Sequence, residues 1–181
     1  RVGCKRVLAR IQVEKFRELT TGDCVSIVLA LCPCPPVAAL RDEGALDESE
    51  CFIDATFSSA KGGGDEIGPT KRGKGVKIMA IIDRHGLPLA VSTHAANHHE
   101  VTLVQLSFDF YMIEAKPENL IGDRAYDSDK LDDELRQEGI EMIAPHKRNR
   151  VRHRTQDGRR LRRYERRWLV ERFFAWIQWQ R

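Results

Sequence analysis

The chain has 181 residues, 41% hydrophobic and 31% charged, a globular composition with room for one full core and a short flanking piece. Its longest uncharged apolar run, residues 24–40, is cut by Pro33, Pro35 and Pro36, and no basic-then-apolar leader stands at its start, so neither a membrane span nor export is expected and the reading is cytoplasmic. The net charge of +3 conceals a basic end: residues 146–181 carry 13 Lys/Arg against 3 Asp/Glu, while the first 145 residues hold 17 against 24, as suits a polyanion partner on a mildly acidic body.

In chain order, residues 1–48 form a poorly defined N-terminal segment, with helical spacing over residues 7–19 and a Pro/Cys stretch at 32–36. The five cysteines (Cys4, Cys24, Cys32, Cys34, Cys51) lack zinc-site spacing and read as reduced structural thiols. Residues 51–57 predict a buried strand and 61–75 a glycine- and lysine-rich loop. Residues 77–83 and 87–93 predict two antiparallel strands about a tight Arg84-His85-Gly86 turn, with Pro88 suiting a strand end or edge. Residues 100–113 carry helical spacing, 119–123 a short strand, 128–138 a helix closed by Gly139, and 141–145 a strand. A basic loop at 146–160 then leads into a final helix from residue 161. The order β–β–β–α–β–α–β–α predicts an α/β domain over 49–181, a ribonuclease-H-like mixed sheet flanked by helices.

Three acidic residues stand out chemically. Asp54 lies inside the apolar strand Phe52-Ile53-Asp54-Ala55, and Asp123 ends Leu120-Ile121-Gly122. A carboxylate among buried neighbours is costly unless paired or bound to a metal, though each aspartate alone reads equally as a strand-end cap. On a continuous helix, Tyr164, Arg167, Glu171 and Gln178 share one face beside an apolar stripe of Val170, Phe173, Phe174 and Ile177. A plain i,i+4 bridge between Arg167 and Glu171 is the simpler alternative, but it leaves Tyr164 and Trp168 on that face unexplained. Two aspartates from adjacent strands and a glutamate from a packed helix make an oxygen-only donor set, suited to Mg²⁺ or Mn²⁺. His94, His98 and His99 lack the spacing of a metal pair and read as supporting residues.

The segments Ile53-Asp54-Ala55-Thr56, Gly122-Asp123-Arg124-Ala125-Tyr126-Asp127 and Tyr164-x2-Arg167-x3-Glu171 closely resemble the three signature segments of DDE transposases from bacterial insertion sequences, nearest the IS-five-like group of the IS-four superfamily. Gly68-Pro69-Thr70-Lys71-Arg72-Gly73-Lys74-Gly75-Val76-Lys77, Asp83-Arg84-His85-Gly86-Leu87-Pro88-Leu89 and Ala96-Asn97-His98-His99-Glu100 support the resemblance over residues 49–181. It implies a ribonuclease-H-like fold, Mg²⁺ dependence, cleavage at element ends and strand transfer into double-stranded target DNA, with a homodimer as the active complex. Asp54, Asp123 and Glu171 would be the catalytic metal-binding triad, and Tyr164 and Arg167 would hold DNA beside it. Gln178 stands where the signature usually has Lys or Arg, with Arg172 or Arg181 as substitutes. Lys71, Arg72, Lys74 and Lys77, and a second basic segment of Lys147, Arg148, Arg150, Arg152 and Arg154, are candidate DNA-backbone contacts. Residues 1–40 are unlike the end-recognising segment of such transposases, and the chain stops ten residues past Glu171. An N-terminus truncated or read in a shifted frame and a shortened C-terminus are therefore expected. An inactive remnant that only binds DNA, or a nuclease without strand transfer, are the alternatives.

Overall fold

Strand β1 (Cys51–Ser59) is the spine of a six-stranded sheet in the computed structural model, which describes residues 44–60, 67–109, 116–151 and 158–179 with residues 42 and 111. On one side β1 pairs antiparallel with β3 (Gly73–Ile82), which in turn pairs antiparallel with β2 (Gly68–Thr70) and β4 (Pro88–Ala95). On the other side β1 runs parallel to β5 (Asn119–Ile121), and β5 parallel to β6 (Glu141–Ile143). With β2 set aside as an extension of the hairpin, the order is β4-β3-β1-β5-β6, with β3 alone reversed. This is the ribonuclease-H-like mixed sheet expected from the element order. Pro88 opens β4, which pairs only with β3 among the described residues, so its missing N–H disrupts no interior ladder.

Alternation along β1 divides the core into two layers. Ile53, Met79, Ile81, Leu89 and Leu120 face helices α1 (Glu100–Phe108) and α2 (Asp129–Gln137) through Leu103, Val104, Leu131 and Leu135. Phe52, Ile78, Ala80, Ile82 and Ile121 face α3 (Trp168–Trp179) through Leu169, Val170 and Phe174. Side chains two residues apart share a face, so Asp54 lies on the α3 side with Phe52. Ser128 caps the start of α2, and Gly139 follows its end at φ +79°, the left-handed conformation glycine adopts without strain.

Three expectations change. The glycine-rich stretch is not wholly a loop: β2 and the lengthened β3 make a hairpin there, because Gly68 and Gly75 admit neighbouring backbone that any side chain would displace. The helix expected to reach residue 113 ends at Phe108. The final helix is not continuous either; a one-turn helix (Gly158–Leu161) gives way to a 3₁₀ segment (Arg162–Arg167) before α3 begins. The expected helix at 7–19 and all the cysteines except the buried Cys51 lie outside the described residues.

Of Gly68 and Gly75, the second makes the closer approach to backbone. A Cβ there would sit 2.2 Å from the Ser58 carbonyl oxygen and 2.6 Å from the Phe57 ring, where β1, β2 and β3 meet. Gly75→Ala must move backbone, and a cost of about 2–3 kcal/mol lowers the melting temperature by roughly 5–10 °C. Thermal unfolding followed by circular dichroism checks this; an unchanged midpoint would show that β2 yields freely.

Candidate active site

Asp54 and Asp123 are brought together by register. The parallel pairing of β1 and β5 ends at Phe52↔Ile121, and each aspartate lies two residues beyond that last pair. Asp54 accepts the Ala55 N–H at 2.8 Å and the Arg167 Nη1–H at 2.8 Å. Burial pushes its carboxyl up to about 6; the Ala55 N–H and Arg167 oppose that shift, whereas the charges of Asp123 and Glu100 add to it. Asp123 accepts the Ala125 N–H at 2.7 Å and so caps a 3₁₀ turn (Arg124–Tyr126). The strand-end cap weighed for Asp123 is thus present, at a position that also faces Asp54.

The 3₁₀ segment sets up the rest. With three residues per turn, positions i and i+3 eclipse, which stacks the Arg167 guanidinium 5.4 Å from the Tyr164 ring centre and points Arg163 and Arg166 the same way. Both arginines hold the buried Glu50 carboxylate, Arg163 at 2.7 Å, with Arg84 at 3.9 Å. The segment is 3₁₀ rather than α-helical, yet the i,i+3 stacking keeps Tyr164 beside Arg167 and the i,i+4 bridge carries that shared face on to Glu171. Leu169, Val170 and Phe174 are buried, while Phe173 is half-buried.

Arg167 joins Asp54 to Glu171. Its Nη1 reaches Asp54 and its Nη2 reaches Glu171 Oε1, the i,i+4 bridge weighed as the simpler reading. Burial opposes the charge on Arg167, but Asp54, Tyr164 and Glu171 outweigh it and hold the guanidinium firmly protonated. Glu171 is about half exposed, at 53%. Trp168, 50% exposed, lies under the Arg172 guanidinium, 4.8 Å from the ring centre. Gln178 ties α3 to β1 through a 2.9 Å bond to Thr56.

The candidate DNA contacts divide into two kinds. Lys71, Arg72 and Lys74 are exposed on the β2–β3 hairpin, whose tip Thr70 fixes by accepting the Arg72 N–H and donating to the Gly73 carbonyl. Lys77 is engaged, donating to the His98 carbonyl at 2.7 Å and pairing with Glu100 at 3.3 Å. Arg148 is exposed, whereas Lys147 and Arg150 are held by Asp127. Asp127 also meets His146 at 2.8 Å, and Arg150 extends to Asp129. Burial would raise the Asp127 carboxyl, but the Lys147 N–H, His146 and Arg150 outweigh it and hold it below the ordinary range. Arg152, Arg154 and Arg181 lie outside the described residues. His94 bonds Ser92 at 2.8 Å, and His98 supplies a carbonyl to Lys77.

Sequence reasoning passed over the Glu50 clasp, the Asp127 hub, Glu100 and Tyr126. The placement of Asp127 and Tyr126 within the second signature segment, and of Glu100 at the end of Ala96-Asn97-His98-His99-Glu100, is the signal that could have drawn attention to them. Among the described residues, no three His, Cys, Asp or Glu side chains converge closely enough to hold one metal ion. Asp54 and Asp123 nevertheless fit a hard divalent cation: their oxygens are of the right chemistry, and a guanidinium already stands as the cation between Asp54 and Glu171.

The strand order β4-β3-β1-β5-β6 with β3 reversed and helices on both faces, and aspartates at two adjoining parallel strand ends, define a ribonuclease-H-like class of domain. Within it the chain belongs to the transposase DDE domain family, which matches residues 45–180. It is 34% identical over 118 residues to a Burkholderia cepacia protein assigned as the transposase of insertion sequence element IS402, a match covering 60% of this chain and 52% of that protein. The chain thus spans about half the length of that relative. Solved structures similar to it include a chain of the simian T-cell lymphotropic virus intasome with PP2A regulatory subunit B56 gamma (TM-score 0.45, 14% identity, 72% of this chain and 38% of that one). The piggyBac transposase synaptic complex with hairpin DNA gives a TM-score of 0.45 at 11% identity, covering 83% of this chain and 44% of that one. No helix among the described residues is long and apolar enough to cross a membrane.

Proposed function

We propose that this chain is the catalytic core of an insertion-sequence transposase of the IS-five-like group, cutting DNA at element ends and joining the freed 3′-hydroxyl to target DNA. The register that sets Asp54 beside Asp123, with Arg167 reaching from Asp54 to Glu171, carries this reading. Asp54 and Asp123 would hold Mg²⁺ or Mn²⁺, and Glu171 would complete the set when Arg167 turns to a DNA phosphate. A bound divalent ion would stabilise negative charge on the phosphate and on the attacking and leaving oxygens. Tyr164 and Arg172, the exposed hairpin cations Lys71, Arg72 and Lys74, and Arg148 with Lys147 would grip the backbone; Lys77 and Arg150 would shape that surface from their ion pairs. A homodimer, working in the cytoplasm on nucleoid DNA, would bring two element ends together.

The test is Mg²⁺-dependent nicking and strand transfer on double-stranded DNA carrying the element's terminal repeat. Asp123→Ala should reduce both by about a thousandfold or more. Full activity in that variant would sink the reading. Nicking without joining would mark a nuclease, and salt-dependent binding without nicking a DNA-binding remnant.

A further inference from the structure

Among the described residues Tyr126 is the largest fully buried side chain, and its hydroxyl has no hydrogen-bond partner there. Buried tyrosine hydroxyls ordinarily find one, so the exception calls for a cause. The ring cannot turn away to relieve it. A Cβ on Gly122 would lie 2.7 Å from Tyr126 Cδ2 and 2.7 Å from Met142 Cε, so the ring sits directly on the backbone just before Asp123. The Tyr126 N–H also closes the Asp123 turn at 3.1 Å.

Burial, with the charges of Glu100, Asp54 and Asp123 behind it and Glu100 foremost among them, keeps the phenol protonated far above neutral pH. It can therefore act as a donor. Glu100 opens α1 and is balanced by Lys77, itself anchored to the His98 carbonyl. The helix that Glu100 opens packs on the Arg124–Tyr126 turn, so a fixed, buried donor lies within electrostatic reach of three carboxylates, two of which are the proposed cation ligands.

We propose that Tyr126 is a positioning residue of the acidic centre, whose hydroxyl gains its acceptor among the carboxylates of Glu100, Asp54 and Asp123 only when these take up a divalent cation. This rests on the reading that Asp54 and Asp123 hold such an ion. The inference adds Tyr126 to Arg167 as a side chain that sets their arrangement, and adds Glu100 to the carboxylates of Asp54, Asp123 and Glu171 in the centre's charge. In the metal-free protein the hydroxyl is a latent cost; with the ion bound it becomes a restraint on the ligands.

Tyr126→Phe in the full chain separates this role from packing, since the ring stays and only the hydroxyl leaves. Mn²⁺ is the probe, with titration calorimetry and thermal unfolding with and without the ion as readouts. The metal-free variant should melt at or above the unsubstituted protein. Its Mn²⁺ dissociation constant should rise about tenfold or more, with a smaller Mn²⁺-induced rise in melting temperature. Glu100→Gln, which leaves the ring untouched, should weaken Mn²⁺ binding too. A Tyr126→Phe protein that melts lower or fails to fold, or that binds Mn²⁺ as before, overturns the inference while leaving the proposed function standing. Absence of Mn²⁺ uptake by the unsubstituted chain would sink both.

Discussion

Asp54→Asn is expected to abolish divalent-ion-dependent DNA cleavage, by about a thousandfold or more, while making the metal-free protein more stable at neutral pH. The two effects share one origin. Burial raises the Asp54 carboxyl from 3.8 to about 6, a shift worth on the order of 3 kcal/mol against the ionised form. Its folded-state value lies above the unfolded one, so the folded chain binds this proton more tightly between about pH 4 and 6. Stability from this group is therefore present in full below about pH 4 and is lost as pH rises through about 6. Asparagine keeps the size and stays neutral, so this share of the pH dependence disappears and the midpoint at about pH 7.5 moves up. Asp132, also raised to about 6 by burial and by Asp127 and Asp129, keeps its own share and serves as the internal control. Thermal melts from about pH 4 to 8 read the comparison. An Asp54→Asn variant less stable than its parent at neutral pH would show that the Arg167 bond outweighs burial.

The sheet was legible where local chemistry and tertiary role agree. Residues 77–83 and 87–93 alternate or run apolar about an Arg-His-Gly turn, and β3 and β4 form there, with the buried Asp83 carboxylate accepting the His85 and Leu87 N–H groups. Asp54 and Asp123 were legible because a carboxylate amid apolar residues conflicts with burial. Strand β2 was not, since Gly-Pro-Thr lacks a strand pattern and is recruited by the lengthened edge of β3. The 3₁₀ segment was hidden for a different reason. Its partner, Glu50, lies 113 residues from Arg163, and no local period encodes a contact that distant. Glu100 and Tyr126 stand in the sequence only as members of two separate motif segments, and no local pattern shows that the helix opened by one packs on the turn that ends in the other.

Arg167→Ala should act in the opposite sense to Asp54→Asn on stability while again impairing the reaction. Removing the guanidinium strips the buried Asp54 carboxylate of its 2.8 Å partner and leaves Glu171 without the shared cation. Because Arg167 holds the Asp54 carboxyl down, its loss moves that group further up and shifts the acid limb of the activity profile the same way. Arg167 and Asp54 are mostly shielded from solvent, so a loss of about 2–3 kcal/mol and a melting temperature lower by roughly 5–10 °C are expected. Cleavage should fall about a hundredfold, with the salt dependence of DNA binding shallower by one phosphate contact. Lysine at 167 restores the charge but cannot span two carboxylates with one planar fork, so Arg167→Lys should recover stability in part and activity little. Cation binding offers the sharpest contrast. Without the guanidinium between Asp54 and Glu171, Mn²⁺ affinity above neutral pH should rise even as cleavage falls. If Arg167→Ala weakened both together, the arginine would be a support for the ion site rather than the cation that fills its place.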